Sequence, residues 1–179
     1  MVETFKISEQ DIDTITTLLS ETDVLLNNNK KYKEEVSEIY RLIPRLKERS
    51  EDTHLLPHIG ENNSIIRYYT NSNKKLNDFF KKVFNNFDIE FFIISEVTYT
   101  VGGFALPHTD PSSYVTYNVM IDDNFEGGDA YVGDTKYQFK KKGDVICFNG
   151  GIDKHSVSEI TKGTRRILSI WAKKSKTLF

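Results

Sequence analysis

The pattern of apolar and polar residues changes character about halfway along the chain. Up to about residue 88 the apolar positions recur at helical spacing. Ser8 followed by Asp11 has the form of a capping box, ahead of Ile12, Ile15 and Leu19. A second stretch carries Val36, Ile39, Tyr40 and Ile43 before Pro44, and a third aligns Leu76, Phe79, Phe80, Val83, Phe84 and Phe87 on one face. From Ile89 the period shortens to two. The segments IEFFIISEVTYT, YVTYNVMI, DAYVG, KYQFK, DVICFN, HSVSEI and RRILSIWA read as strands separated by Gly, Asp and Lys turns. Many short strands after helices predict a mainly β, α+β fold: a jelly roll of two sheets, with N-terminal helices buttressing one of them. We divide the 179 residues as one domain, 1–88 mostly helical flank and 89–173 β core. One earlier stretch, NSIIRYYT, also alternates. It places Ile66, Tyr68 and Thr70 on one face and Arg67 and Tyr69 on the other, with Arg67 a candidate contact of either substrate or a dicarboxylate co-substrate at the mouth of a site.

Composition narrows the function classes. A hydrophobic fraction of 38% and a charged fraction of 28% are those of a globular protein able to bury a core. The net charge of -2 gives no reason to expect nucleic acid or an anionic membrane as partner. Lys140 to Lys142 precede Gly143 and read as a solvated turn. The N-terminus lacks the basic and then apolar pattern of a signal peptide, and no apolar run reaches bilayer length, so a cytoplasmic protein is expected. Cys147 is the only cysteine, which rules out an intrachain disulfide and a cysteine zinc cluster. In its apolar strand it reads as a buried thiol.

Chemistry concentrates in a few positions. His108 and Asp110 stand two apart, so extended backbone points both side chains to one face. His155 follows downstream at the start of another strand. Two imidazoles and a carboxylate make the facial triad that suits non-haem Fe(II), although zinc accepts the same donors. Arg165 opens the last strand, and a permanently charged planar fork near an open iron site suits the far carboxylate of a dicarboxylate co-substrate. Arg166 points to the opposite face. Ser169 shares the face of Arg165 and offers a hydroxyl to the same carboxylate, which favours Arg165 as the anchor.

In order and spacing, His108, Asp110, His155 and Arg165 resemble the Fe(II)- and 2-oxoglutarate-dependent dioxygenases, in particular the prolyl and lysyl hydroxylase branch. HTDPSSYVTYNVMIDDNFEGGDAYVG is similar to the core segment of procollagen lysyl hydroxylases, including Thr-x-Asn and Phe-Glu-Gly-Gly, and HSVSEITKGTRRILSIWA to their closing segment. The resemblance spans roughly Phe91 to Lys173. It implies a double-stranded β-helix, cupin-like in architecture, with His108, Asp110 and His155 as iron ligands. It further implies Arg165, Asn118 and Tyr99 as contacts of 2-oxoglutarate and places Trp171 six residues beyond the anchor. 2-Oxoglutarate is then the co-substrate that Arg67, if not a substrate contact, would meet. O2 would be the second co-substrate, with ascorbate an additional candidate. The implied reaction hydroxylates a C–H bond, of a prolyl or lysyl side chain in a protein or peptide, and releases succinate and CO2. Alternatives are hydroxylation of a free amino acid or other small molecule, and a non-catalytic cupin-like metal-binding or ligand-binding module. Nucleic-acid demethylases similar in plan carry a second arginine six residues after the first, where Trp171 stands.

Overall fold

The computed structural model describes residues 1–22, 64–69, 73–110 and 113–175, apart from the side chains of Ile65 and Phe92. In it the alternating segments form a double-stranded β-helix. The larger sheet has six antiparallel strands in the order β1 (Glu3–Lys6), β9 (Asp144–Phe148), β5 (Val115–Asp122), β12 (Arg165–Lys174), β3 (Ile89–Tyr99) and β2 (Ser64–Tyr69). The smaller sheet runs β4 (Ala105–His108), β10 (His155–Val157), β7 (Ala130–Val132), β8 (Thr135–Tyr137), and β6 (Phe125–Gly127) pairs with β11 (Ile160–Gly163) beside it. β1 and β2 come from the part of the chain read as helical flank, yet they form the two edges of the larger sheet. β1 was not foreseen: four residues are too few for alternation to show against the helix that follows.

Two described helices cover one face of that sheet. α1 (Glu9–Ser20) starts where the capping box predicts: Ser8 Oγ accepts from the Asp11 amide at 3.1 Å and Asp11 Oδ2 accepts from the Ser8 amide at 3.0 Å. α2 (Lys74–Val83) is capped by Asn73, whose side chain accepts from the Leu76 amide at 3.1 Å. Asn85, with φ of 48°, ends it. Phe87 therefore leaves the predicted stripe and is 63% exposed. The second predicted helix, around Val36 to Ile43, lies outside the described residues. Ile12, Ile15 and Leu19 of α1 and Leu76 and Phe80 of α2 join a core with Ile94, Val119, Leu168 and Ile170 of the sheet. Phe84 stacks on Tyr117 at 4.2 Å. Burying Leu76 and Phe80, each 0% exposed, contributes roughly 1.5–3 kcal/mol apiece.

The opposite face of the larger sheet looks at the smaller one. Val97, Met120, Ile146, Phe148 and Ile167 pack against Ala130, Val132, Phe139 and Ile160 in a second core. One part of this interior stays open. Among the described residues, no helix is long and apolar enough to cross a membrane.

Candidate active site

The opening is a cavity of about 140 Å³ between the sheets, reached by His108, Asp110, Asn118, Tyr99, His155, Arg165, Ser169 and Trp171. Strand pairing brings the two histidines together: His155 of β10 is the Cα partner of His108 of β4, and their rings lie 4.3 Å apart. Asp110, just past β4, is held by its amide donating to Gly150 O at 2.7 Å. Asp110 Oδ1 lies 3.9 Å from His108 Nε2 and 3.4 Å from His155 Nε2. All three donor atoms fall within 4.8 Å of one another. Each Nδ1 sits on a backbone carbonyl, Leu106 O at 2.7 Å for His108 and Asp153 O at 3.1 Å for His155. Nδ1 is thereby the protonated nitrogen and Nε2 carries the lone pair, the tautomer a metal ligand needs. Burial lowers the His155 pKa, but the adjacent Asp110 carboxylate outweighs it and, with the Asp153 carbonyl, raises the value above its usual one.

Among the described residues, no group neutralises the charge at the other end of the cavity. Arg165 is 1% exposed, and its Nε and Nη1 have no hydrogen-bond partner among the described residues. Around it are the rings of Tyr99 and Phe139, each 5.4 Å from the guanidinium carbon, and Phe125 at 6.0 Å. Burial pulls its pKa down to about 10. A buried unpaired cation is costly, and an anionic ligand removes the cost. Tyr99, the Cα partner of Arg165 across β3 and β12, has a pKa raised by burial against the lowering effect of Arg165. It stays a neutral hydrogen-bonding phenol.

Between the His-Asp-His cluster and the guanidinium runs a ladder of side chains on β5 and β12. Trp171 pairs with Thr116, Ser169 with Asn118, and Ile167 with Met120 before Arg165 is reached. Asn118 Oδ1 is buried and has no hydrogen-bond partner among the described residues, a further polar atom left for a ligand. The Gly127–Gly128 turn lies over Arg165: at φ of 60°, a Cβ on Gly128 would stand 3.0 Å from Arg165 Cδ and 2.4 Å from Ile160 Cδ1.

Arg67 is the exception among the predicted site residues. It projects from the outer face of β2, 52% exposed, with Nη1 3.8 Å from Glu96 Oε2, so it does not reach the cavity mouth as expected. Its neighbours Ile66 and Tyr68 line the cavity instead. The alternation assigned the two faces correctly but could not tell which one the site occupies. Phe139 escaped the sequence reading, and Phe125 and Thr116, which open Phe-Glu-Gly-Gly and Thr-x-Asn, were given no role of their own. For the aromatic rings no local pattern separates a wall from a core residue, whereas Thr116 could have been found by its place two before Asn118. Lys140, read as solvated, donates to Gly127 O at 3.0 Å and pairs with Asp129, so part of the basic run is structural.

Fold and site together define a double-stranded β-helix with a His-Asp-His cluster and a buried arginine. The fold is shared with solved oxygenase structures. The viral collagen prolyl hydroxylase of Paramecium Bursaria Chlorella virus-1, solved as a 2OG complex, is similar over 98% of this chain and 96% of its own, with a TM-score of 0.61 and 15% identity. HygX of Streptomyces hygroscopicus, with nickel and 2-oxoglutarate bound, has a TM-score of 0.53 and 10% identity over 98% of this chain and 83% of its own. A Pseudomonas putida prolyl-4-hydroxylase has a TM-score of 0.52 and 13% identity, covering 97% and 92%. No protein-family profile and no curated protein matches the sequence.

Proposed function

We propose that this chain is an Fe(II)- and 2-oxoglutarate-dependent dioxygenase that hydroxylates a C–H bond of a prolyl or lysyl side chain in a protein or peptide, with release of succinate and CO2. The observation that carries the oxygenase reading is Arg165: a buried guanidinium, unpaired at Nε and Nη1, in the same cavity as the His-Asp-His cluster. A metal-binding module without turnover gives no reason to bury that charge.

The residues fit the groups. His108 Nε2, Asp110 Oδ1 and His155 Nε2 would hold iron on one face and leave the others open. Arg165 would pair with the distal carboxylate of 2-oxoglutarate, with Ser169, Asn118 and Tyr99 supplying neutral hydrogen bonds along it. When bound, the iron couples oxidative decarboxylation of 2-oxoglutarate by O2 to hydroxylation of the substrate. The walls of Phe139, Ile146, Phe148 and Ile167 keep water from the reacting centre. Trp171 and Tyr68 line the same cavity and would meet the substrate.

A protein or peptide substrate is supported by the likeness to procollagen lysyl hydroxylases in the core segment and by the prolyl hydroxylases of similar fold. The small-molecule alternative draws on HygX, also solved with hygromycin B. The test is succinate release from 2-oxoglutarate with a mass gain of one oxygen on the substrate, screened over prolyl and lysyl peptides and free amino acids. We expect peptide-dependent succinate formation, abolished in Asp110→Ala. Oxygen gain confined to a free small molecule would overturn the protein-substrate assignment. Metal binding with no succinate from any substrate would overturn the dioxygenase.

A further inference from the structure

We propose that Thr116 is a positioning residue that holds the Asp110 carboxylate so that it offers a metal one oxygen and not two. The proposal rests on the metal site described above. Asp110 turns Oδ1 toward the two histidines, while Oδ2 points away and accepts a hydrogen bond from Thr116 Oγ1 at 2.6 Å. That is the length of a charge-assisted bond to an ionised carboxylate. Thr116 and Asp110 are 0% and 3% exposed, so water does not compete for Oδ2.

The donor has a supporting partner. Ser113 Oγ lies 3.1 Å from Thr116 Oγ1. A threonine hydroxyl has a single proton, and an ionised carboxylate can only accept. Thr116 therefore gives its proton to Asp110, and Ser113 must be the donor to Thr116. The relay runs Ser113 to Thr116 to Asp110 and ends on the oxygen that faces away from the histidines. β-Branching restricts the Thr116 χ1, which keeps the hydroxyl aimed.

The space for this contact is made by a glycine. A Cβ on Gly150 would stand 2.1 Å from Thr116 Oγ1 and 2.9 Å from Asp110 Oδ2. Gly150 also accepts the Asp110 amide through its carbonyl at 2.7 Å, so one residue seats both the backbone and the carboxylate of Asp110. With Oδ2 engaged, Asp110 would offer a bound metal Oδ1 alone.

The test uses the full chain and Co(II) alone, titrated anaerobically and followed by calorimetry and by visible absorption, which reads coordination number. Thr116→Val removes the hydroxyl at nearly constant volume and is expected to weaken Co(II) binding about 10–100-fold and to change the Co(II) spectrum. Thr116→Ser keeps the donor and is expected to restore most of the affinity and the original spectrum. Gly150→Ala leaves the hydroxyl in place but crowds it, and should reproduce the weakening. It decides the matter if Thr116→Val fails to fold in a thermal melt. Wild-type affinity and spectrum in a folded Thr116→Val, or in a folded Gly150→Ala should the first not fold, would overturn the proposal. Metal binding by the wild type that is lost in Asp110→Ala but kept in Thr116→Val overturns this proposal alone. A wild type that binds no Co(II) overturns the metal site itself, and the proposal with it.

Discussion

Arg165 and Arg166 are consecutive residues on one strand and live in opposite environments. Arg166 leaves the outer face of the larger sheet, where its Nε and Nη2 reach Glu96 Oε1 at 3.2 and 2.9 Å. Glu96 also accepts the Tyr69 hydroxyl at 2.9 Å and faces Arg67. Every charge in that group has an opposite charge beside it and solvent within reach. Arg165, on the inner face, has aromatic rings and, among the described residues, no anion beside it. The outer face is closed chemically as well as sterically. The inner face carries a strain of solvation that the described residues do not relieve: burial pulls the Arg165 pKa down to about 10, so holding the charged guanidinium there costs the chain stability. A fold keeps such a cost where a ligand repays it, so the contrast between the faces locates the site better than the size of the cavity does.

The largest effect should come from erasing the contrast. Arg165→Met replaces the buried cation with apolar volume. It should raise the apparent Michaelis constant for 2-oxoglutarate at least about tenfold, through loss of a charge-assisted contact. The same change should make the ligand-free chain more stable, by about 1–4 kcal/mol, and remove stabilisation by 2-oxoglutarate. Succinate formation against 2-oxoglutarate concentration and thermal melts with and without the dicarboxylate measure both. A ligand-free Arg165→Met that melts below the wild type would mean the inner-face charge is not a burden.

Next in size is a pH effect confined to the inner face. The pKa of His155 is raised above its ordinary 6.5 in the folded, metal-free chain. Its contribution to stability is therefore fully present below the unfolded value and fades as pH rises through the folded one. Metal affinity runs the other way, falling as pH drops through the folded value, because the proton competes for Nε2. Urea unfolding in a chelator and Co(II) titration across this window should show opposite slopes, and His155→Gln should flatten the first.

Gly128→Ala sharpens the comparison sterically. A methyl at a left-handed φ of 60°, against Arg165 Cδ and Ile160 Cδ1, should cost roughly 1–2 kcal/mol of stability and raise the 2-oxoglutarate Michaelis constant while leaving Co(II) affinity unchanged. The smallest effect belongs to the outer face. Arg166→Ala breaks a half-exposed ion pair and should cost at most about 1 kcal/mol. The Michaelis constant for 2-oxoglutarate should not move in either Arg166→Ala or Arg67→Ala. An increase in the former as large as in Arg165→Met would put the anchor on the wrong residue.

Much of this site could be read from the chain because its grammar is local. The capping box at Ser8 and Asp11, the strand segments from Ile89 onward and the opposed faces of Arg165 and Arg166 all follow from periods of 3.6 or 2, which neighbours within a few residues determine; the choice of Arg165 rested on Ser169 and on the family resemblance. Alternation even divided Arg67 from Tyr68 correctly. It could not say which of those two faces is the inside, because that depends on which strand β2 joins and on which side the second sheet lies.

What the tertiary structure alone decided is of that second kind. That His155 lies opposite His108 follows from the pairing of β10 with β4, a contact between distant parts of the chain. That Thr116 reaches Asp110 depends on a loop pinned by Gly150, which comes from beyond β9. Above all, the state of Arg165 is a property of everything around it. The chain itself specifies that an arginine opens the last strand and which way it points. Only the closing of Tyr99, Phe125 and Phe139 around it, with no ion-pair partner among the described residues, gives that arginine its buried, unpaired charge, because solvation is set by all the groups within reach and not by those adjacent in sequence.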